Sequence, residues 1–162
     1  MHIHFLTTGG TIDKLYFDAK SEYQIGSPQV MTLLQELELA FPYTIEPLMA
    51  KDSLELTEED RAHIRERVLA APADRVIVTH GTDTMVETAK KLHGIPGKTI
   101  VLTGAMQPAR FHRSDAVFNV GAAIGAVSCL PEGVYLCMNG RIFNPEHVRK
   151  NRELGRFEEI AS

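Results

Sequence analysis

The stretch MHIHFLTTGGTID, residues 1–13, sets the reading of the whole chain. Met1 to Thr7 is apolar and partly alternating, the pattern of a β-strand. The run stops at two threonines, two glycines and a third threonine. Glycine lets the main chain turn sharply and lets other groups approach its backbone. Two readings follow. One is a tight turn with glycines for geometry only. In the other, Thr11 presents its hydroxyl and the Gly10 N–H is free to face an anion or a developing oxyanion. The glycines taken alone favour the turn. The segment lacks the Gly-Lys-Ser/Thr of a phosphate-binding loop and the GxGxxG spacing of a dinucleotide site.

Outward from this stretch, strand-like and helix-like segments alternate. Ser27-Pro28 predicts an N-cap and a first-turn proline, with Val30, Leu33, Leu34 and Leu37 at helical spacing to about Phe41. TIEPLMA, residues 44–50, reads as a strand that Pro47 pushes to a sheet edge. Thr57 opens a helix with acids in its first turn, and Ile64, Val68 and Leu69 continue one face. Arg75–Thr79 is β-branched, as in a strand buried on both sides. A helix over 84–92, a turn at 94–97, a strand over 98–103, a helix over 114–129 and a strand over 134–138 complete the order. Phe118, Ala122 and Gly125 share a stripe of the 114–129 helix. The tail to Ser162 carries no clear pattern. Such alternation predicts an α/β fold, a mostly parallel doubly wound sheet with helices on both faces. Ligands of such sheets bind beyond the carboxyl ends of the strands.

Those ends share a chemistry. After the successive strands come Thr7 to Asp13, then Lys51-Asp52-Ser53, then His80-Gly81-Thr82-Asp83-Thr84, then Gly104 to Pro108, then Asn139-Gly140-Arg141. Thr82 or Asp83 could merely cap the next helix, and Asp52-Ser53 could be an ordinary turn. A cap needs one such residue, however, and hydroxyls, carboxylates and glycines recur at several ends of one edge.

Composition narrows the field. The 162 residues are 44% apolar and 23% charged, with net charge −4, ordinary for a globular domain. Mild acidity argues against a nucleic-acid partner. Cys129 and Cys137 have neither metal nor redox spacing and read as free thiols in a reducing compartment. The scattered histidines give no metal pair, and His80 reads as structural. No stretch has the layout of a signal peptide or the length of a membrane span. The expectation is a complete, cytoplasmic, single domain over 1–162 with no membrane partner, no metal and no cofactor. Gly121 and Gly125 on one helix face suggest close packing, in the core or between subunits, and hence a homo-oligomer, dimer or higher.

The stretches TGGTID (8–13) and THGTDTM (79–85), with DSLELT (52–57), LTGAMQP (102–108) and the FN of DAVFNVGAA (115–123), resemble the bacterial-type L-asparaginases, the threonine amidohydrolases. The likeness covers nearly the whole chain. It is strongest to the N-terminal domain of that family and to its short single-domain members, the usual C-terminal domain being absent. The resemblance implies hydrolysis of asparagine or a related small amide to aspartate and ammonia. Thr11 matches the nucleophile. Its activating base is a tyrosine, Tyr23 in EYQIG (22–26) or the nearer Tyr16. Thr82 matches the second catalytic threonine, Asp83 the α-amino binder and Ser53 the α-carboxylate binder. Asp52 and Gly81 join the substrate-binding set. The N–H groups of Gly10 and Thr82 would form the oxyanion hole.

Two departures stand beside this likeness. The lysine that the resemblance pairs with Thr82 and Asp83 is sought on the helix after GAMQP, and there Cys129 stands near its place. Lys150 could substitute by folding back, or failing it Arg149 or Arg152, although an exposed basic tail segment is the plainer reading of this run and the favoured one. Groups that the familiar site borrows from a neighbouring protomer's C-terminal domain are also missing. An alternative reading is therefore a non-catalytic or weakly catalytic amino-acid-binding module. A chain that releases ammonia to an amidotransferase partner is a third.

Overall fold

The structure is a computed structural model and describes residues 1–17 and 22–160. Its elements in chain order are β1 (Ile3–Gly9), β2 (Lys14–Phe17), β3 (Glu22–Ile25), α1 (Gln29–Gln35), β4 (Tyr43–Lys51), α2 (Glu58–Ala70), β5 (Arg75–Thr79), α3 (Met85–Lys91), β6 (Thr99–Thr103), α4 (Ala116–Cys129), β7 (Gly133–Met138), β8 (Arg141–Phe143), β9 (Val148–Asn151) and β10 (Arg156–Glu159). A six-stranded sheet has the order β4-β1-β5-β6-β7-β8. It is parallel except for β8, which pairs antiparallel with β7.

Alternation along the strands explains the two helix layers. Leu6, Val76, Val78, Ile100, Leu102 and Leu136 point to one face, against Ile64 and Val68 of α2 and Met85 and Ala89 of α3. Phe5, Ile77, Val101 and Cys137 point to the other, against Val30 and Leu34 of α1 and Val120, Ala123 and Val127 of α4. Each central strand thus fills two cores, which is why its residues read as a continuous apolar run. The fold class is as the sequence implies. Pro47 does lie in an edge strand, β4. Strand order reverses at β1, whose neighbours β4 and β5 leave in opposite directions. That reversal opens a crevice beyond the carboxyl ends of β1 and β5.

Three local expectations need correction. First, α1 ends at Gln35 rather than near Phe41 and is not capped by Ser27. The buried Asp13 carboxylate accepts from the Gln29 N–H at 2.7 Å and caps the helix from a distant turn. Second, Leu69 and Phe118 do not face a core, although Ala122 of the same stripe packs partly buried against the α1–α4 core. Leu69 is 49% and Phe118 61% exposed, and nothing lies near Gly121 or Gly125. Third, Asn139-Gly140 is a two-residue hairpin turn between β7 and β8, not a site loop. Both residues take positive φ, 54° and 75°, the geometry that matches the twist of paired strands. Beyond β8 the tail folds into a second hairpin, β9 against β10.

Among the described residues no helix is long and apolar enough to cross a membrane. No group of three histidine, cysteine or acidic side chains gathers there as a metal site would.

Candidate active site

Three strand ends meet at the crevice, and glycine is what lets them meet. Gly10 has φ 84°, and a Cβ there would collide with the Gly81 Cα. A Cβ on Gly81 would lie 2.6 Å from the Ser53 Oγ. The loops after β1, β4 and β5 are therefore packed backbone on backbone. Thr11, Thr82 and Ser53 each sit on this contact or one residue from it. That is the physical content of the two glycine-threonine motifs.

The Gly10 N–H does not have the freedom expected of it. It donates to the Lys51 carbonyl at 2.9 Å, continuing the β1–β4 ladder past the bulge between Thr7 and Gly9. An oxyanion donor at this turn has to be another N–H.

A lysine does reach the Thr82–Asp83 pair. Lys150 Nζ donates to Thr82 Oγ1 at 2.7 Å and to Asp83 Oδ1 at 2.9 Å, with its side chain 15% exposed. It arrives from β9. Val148 and Phe157 of the β9–β10 hairpin are buried in the α2–α3 core, and Phe157 pairs with Lys150 across the hairpin. Alternation puts Val148, Lys150 and Phe157 on one face, so seating the two apolar anchors aims the lysine at Thr82. Cys129 has no such part. It is exposed at the far end of α4, beside Leu130, whose carbonyl bonds Arg75 at the amino end of β5. Of the two arginines, Arg152 Nε comes within 3.5 Å of Asp83 Oδ1, and Arg149 pairs with Glu158 instead.

Asp52 and Lys14 form the near lip. Asp52 caps the short turn Ser53–Glu55 by accepting from the Leu54 N–H at 3.1 Å, and its other oxygen meets Lys14 Nζ at 3.0 Å. Burial alone would raise the Asp52 pKa. The Leu54 N–H and Lys14 more than offset that, holding the carboxyl below its ordinary range. Sequence patterns do not single out Lys14, although it directly follows the first motif. Thr84 Oγ1 donates to the Ser53 carbonyl at 2.7 Å and so fixes that turn from the β5 side.

Tyr16 and Tyr23 face each other across the β2–β3 hairpin, with ring centroids 5.2 Å apart, and each is about half exposed. Tyr23 borders a cleft of about 470 Å³ together with Lys14 and Asp52, and Lys14 Nζ lies 5.8 Å from its ring centroid. Tyr16 borders a different cleft with Arg110 and Phe111.

The chain is similar in sequence and fold to known proteins. Residues 2–158 match the family model described as "Asparaginase, N-terminal". The chain is 34% identical to L-asparaginase 1 of Escherichia coli K12 over 122 residues, covering 72% of this chain and 35% of that protein. It is 33% identical over 148 residues to one component of the glutamyl-tRNA(Gln) amidotransferase of Aeropyrum pernix, covering 80% of this chain and 32% of that one. The solved thermostable L-asparaginase from Thermococcus kodakarensis superposes with a TM-score of 0.88 at 27% identity, over 99% of this chain and 51% of that chain. The chain thus spans about a third to a half of the length of these relatives. A family model over nearly all its residues and a matching fold lead to one conclusion: the chain belongs to the asparaginase family, as a counterpart of its N-terminal part.

Proposed function

We propose that the chain is an L-asparaginase-type amidohydrolase in which Thr11 is the nucleophile. The observation that carries this reading is the Thr82–Lys150–Asp83 cluster beside the Gly10–Gly81 contact. It supplies a part-buried cation, a hydroxyl and a carboxylate one loop away from a second threonine.

Thr11 Oγ attacks the side-chain amide carbonyl carbon as a base takes its proton. The tetrahedral intermediate expels the amine with a proton, ammonia leaves, and an ester on Thr11 remains. Water then attacks the ester and returns the proton to Thr11. Tyr23 is the favoured base because it borders the same cleft as Lys14 and Asp52, and Tyr16 is its alternative. Lys150 donates to Thr82 Oγ1, which leaves the Thr82 proton to orient water or substrate. With Gly10 committed to Lys51, the Thr82 and Thr11 N–H groups are the donors for the oxyanion. Ser53 and Asp83 hold the substrate's carboxylate and ammonium, with Asp52 and Gly81 shaping the pocket.

The binding-module reading supposes a lost lysine, and the contact of Lys150 with Asp83 favours the hydrolase reading over it. The amidotransferase reading keeps one support, the likeness to the amidotransferase component from Aeropyrum pernix. We further take the chain to act in the cytoplasm as a homo-oligomer, dimer or higher, built on the exposed uncharged side of α4, where Val117 and Phe118 are 54% and 61% exposed.

Ammonia release from L-asparagine, L-glutamine and simple mono-amides, set beside calorimetric binding of L-aspartate, separates these readings. A hydrolase turns over at least one amide. Binding of aspartate with no turnover of any amide would leave the module. Turnover only with an added partner would leave the amidotransferase.

A further inference from the structure

His80 directly follows β5 and takes no part in the chemistry above, yet its ring is fully buried and both ring nitrogens are engaged. Nδ1 lies 2.7 Å from the Gly81 carbonyl oxygen and Nε2 lies 2.8 Å from Thr88 Oγ1 on α3, itself fully buried. Burial pushes the imidazole pKa down to about 4, so the ring is neutral and carries one N–H. A carbonyl oxygen only accepts. The proton therefore sits on Nδ1 and is donated to Gly81, while bare Nε2 accepts from the Thr88 hydroxyl. The opposite tautomer would press two acceptors together at 2.7 Å.

The carbonyl that His80 grips belongs to the same planar trans peptide as the Thr82 N–H. In such a unit the C=O and the N–H point in opposite directions. Held into the protein by its carbonyl, this peptide directs its N–H away from His80. Gly81 has no side chain to hold the peptide, because Ser53 occupies the space a Cβ would need. A glycine peptide left to itself rotates more readily than any other. We propose that His80, fixed as a tautomer by Thr88, is a positioning residue that locks the Gly81–Thr82 peptide so that the Thr82 N–H stands ready as an oxyanion donor.

The inference rests on the hydrolase reading and deepens it. Loss of a whole oxyanion donor costs about 10²–10³ in rate, so loosening one should cost about 10–100-fold. The experiment compares kcat and KM for ammonia release from L-asparagine in wild type, His80→Asn, His80→Gln and Thr88→Val, with L-aspartate affinity measured alongside. Asparagine places an amide N–H where Nδ1 stands, whereas glutamine places it near Nε2. His80→Gln should lose kcat about 10–100-fold with KM and aspartate affinity nearly unchanged. His80→Asn should retain most of the rate. Thr88→Val, which no longer fixes the tautomer, should fall between. Nitrogen NMR of the wild-type imidazole should show the Nδ1–H form, a readout that needs no variant to fold and no turnover.

Wild-type kcat in His80→Gln, equal losses in the two amide variants, a loss confined to KM, or an Nε2–H ring would each overturn the proposal. A wild-type chain that hydrolyses no amide would instead overturn the hydrolase reading, and with it any rate role for His80.

Discussion

Asp13 and His80 are buried titratable residues whose environments pull in opposite directions. Burial raises the Asp13 carboxyl to about 7, with the Gln29 N–H pulling back, and lowers the His80 imidazole to about 4. Asp13 binds its proton more tightly folded than unfolded. Its contribution is therefore present near pH 4 and is lost as pH rises towards 7. His80 resists protonation when folded. Its contribution is full above 6.5 and is lost as pH falls towards 4. The two slopes oppose each other over the same window. Asp13→Asn keeps an acceptor for the α1 cap and removes one slope. Urea midpoints of that variant should rise with pH between about 4 and 7 more steeply than those of wild type. An unchanged pH profile would show that Asp13 is ionised throughout.

At this scale the motifs are legible, because Thr11, Ser53, Thr82 and Asp83 are fixed by which residue follows which strand. The Gly10 N–H is not. Its partner, Lys51, depends on the register of β1 against β4 beyond a bulge, and no single-strand pattern encodes that. Cys129 is misplaced by sequence spacing for want of a length. Fourteen residues of α4 run about 21 Å, enough to carry its end to the opposite edge of the sheet.

The β9–β10 hairpin is the element on which the site depends most. It is held by few apolar anchors, chiefly Val148 and Phe157, the latter 6.3 Å centroid to centroid from Phe143. Phe157→Ala should cost about 3–5 kcal/mol, the usual range for a buried phenylalanine. It should also expose the β9–β10 amides to hydrogen exchange before those of β1, β5 and β6. Protection that falls evenly across the sheet would contradict a separately seated hairpin. Lys150→Met leaves the anchors in place, so it should remove ammonia release without this change in exchange. Wild-type turnover in Lys150→Met would remove the lysine from the account. The hairpin is unreadable in sequence because its short strands are mostly charged, and only two alternate residues are buried. The Asn139-Gly140 turn ahead of it is readable, being the strongest short hairpin signal there is.

Over the whole molecule, strand–helix alternation reveals the fold class, and the carboxyl-edge rule points to the candidate site. What alternation leaves open is strand order, and strand order creates the crevice beside β1. The face of α4 is half legible. Its apolar stripe is visible, but the stripe that meets the sheet, Val120, Ala123 and Val127, is not the one that holds Phe118. If that outer face joins protomers, Phe118→Lys should shift the sedimenting species to monomer while leaving the circular dichroism spectrum unchanged. A monomeric wild type would contradict the oligomer.

The central claim is that a hydroxyl at the mouth of β1 becomes acylated. Acid-quenched mass spectrometry of the chain mixed with L-asparagine tests it most directly. A fraction of protein heavier by one aspartyl group is expected, mapped by proteolysis to Thr11, and absent from Thr11→Ala, which still binds L-aspartate. Thr11→Ala that still releases ammonia at the wild-type rate, or an adduct on any other residue, would contradict it.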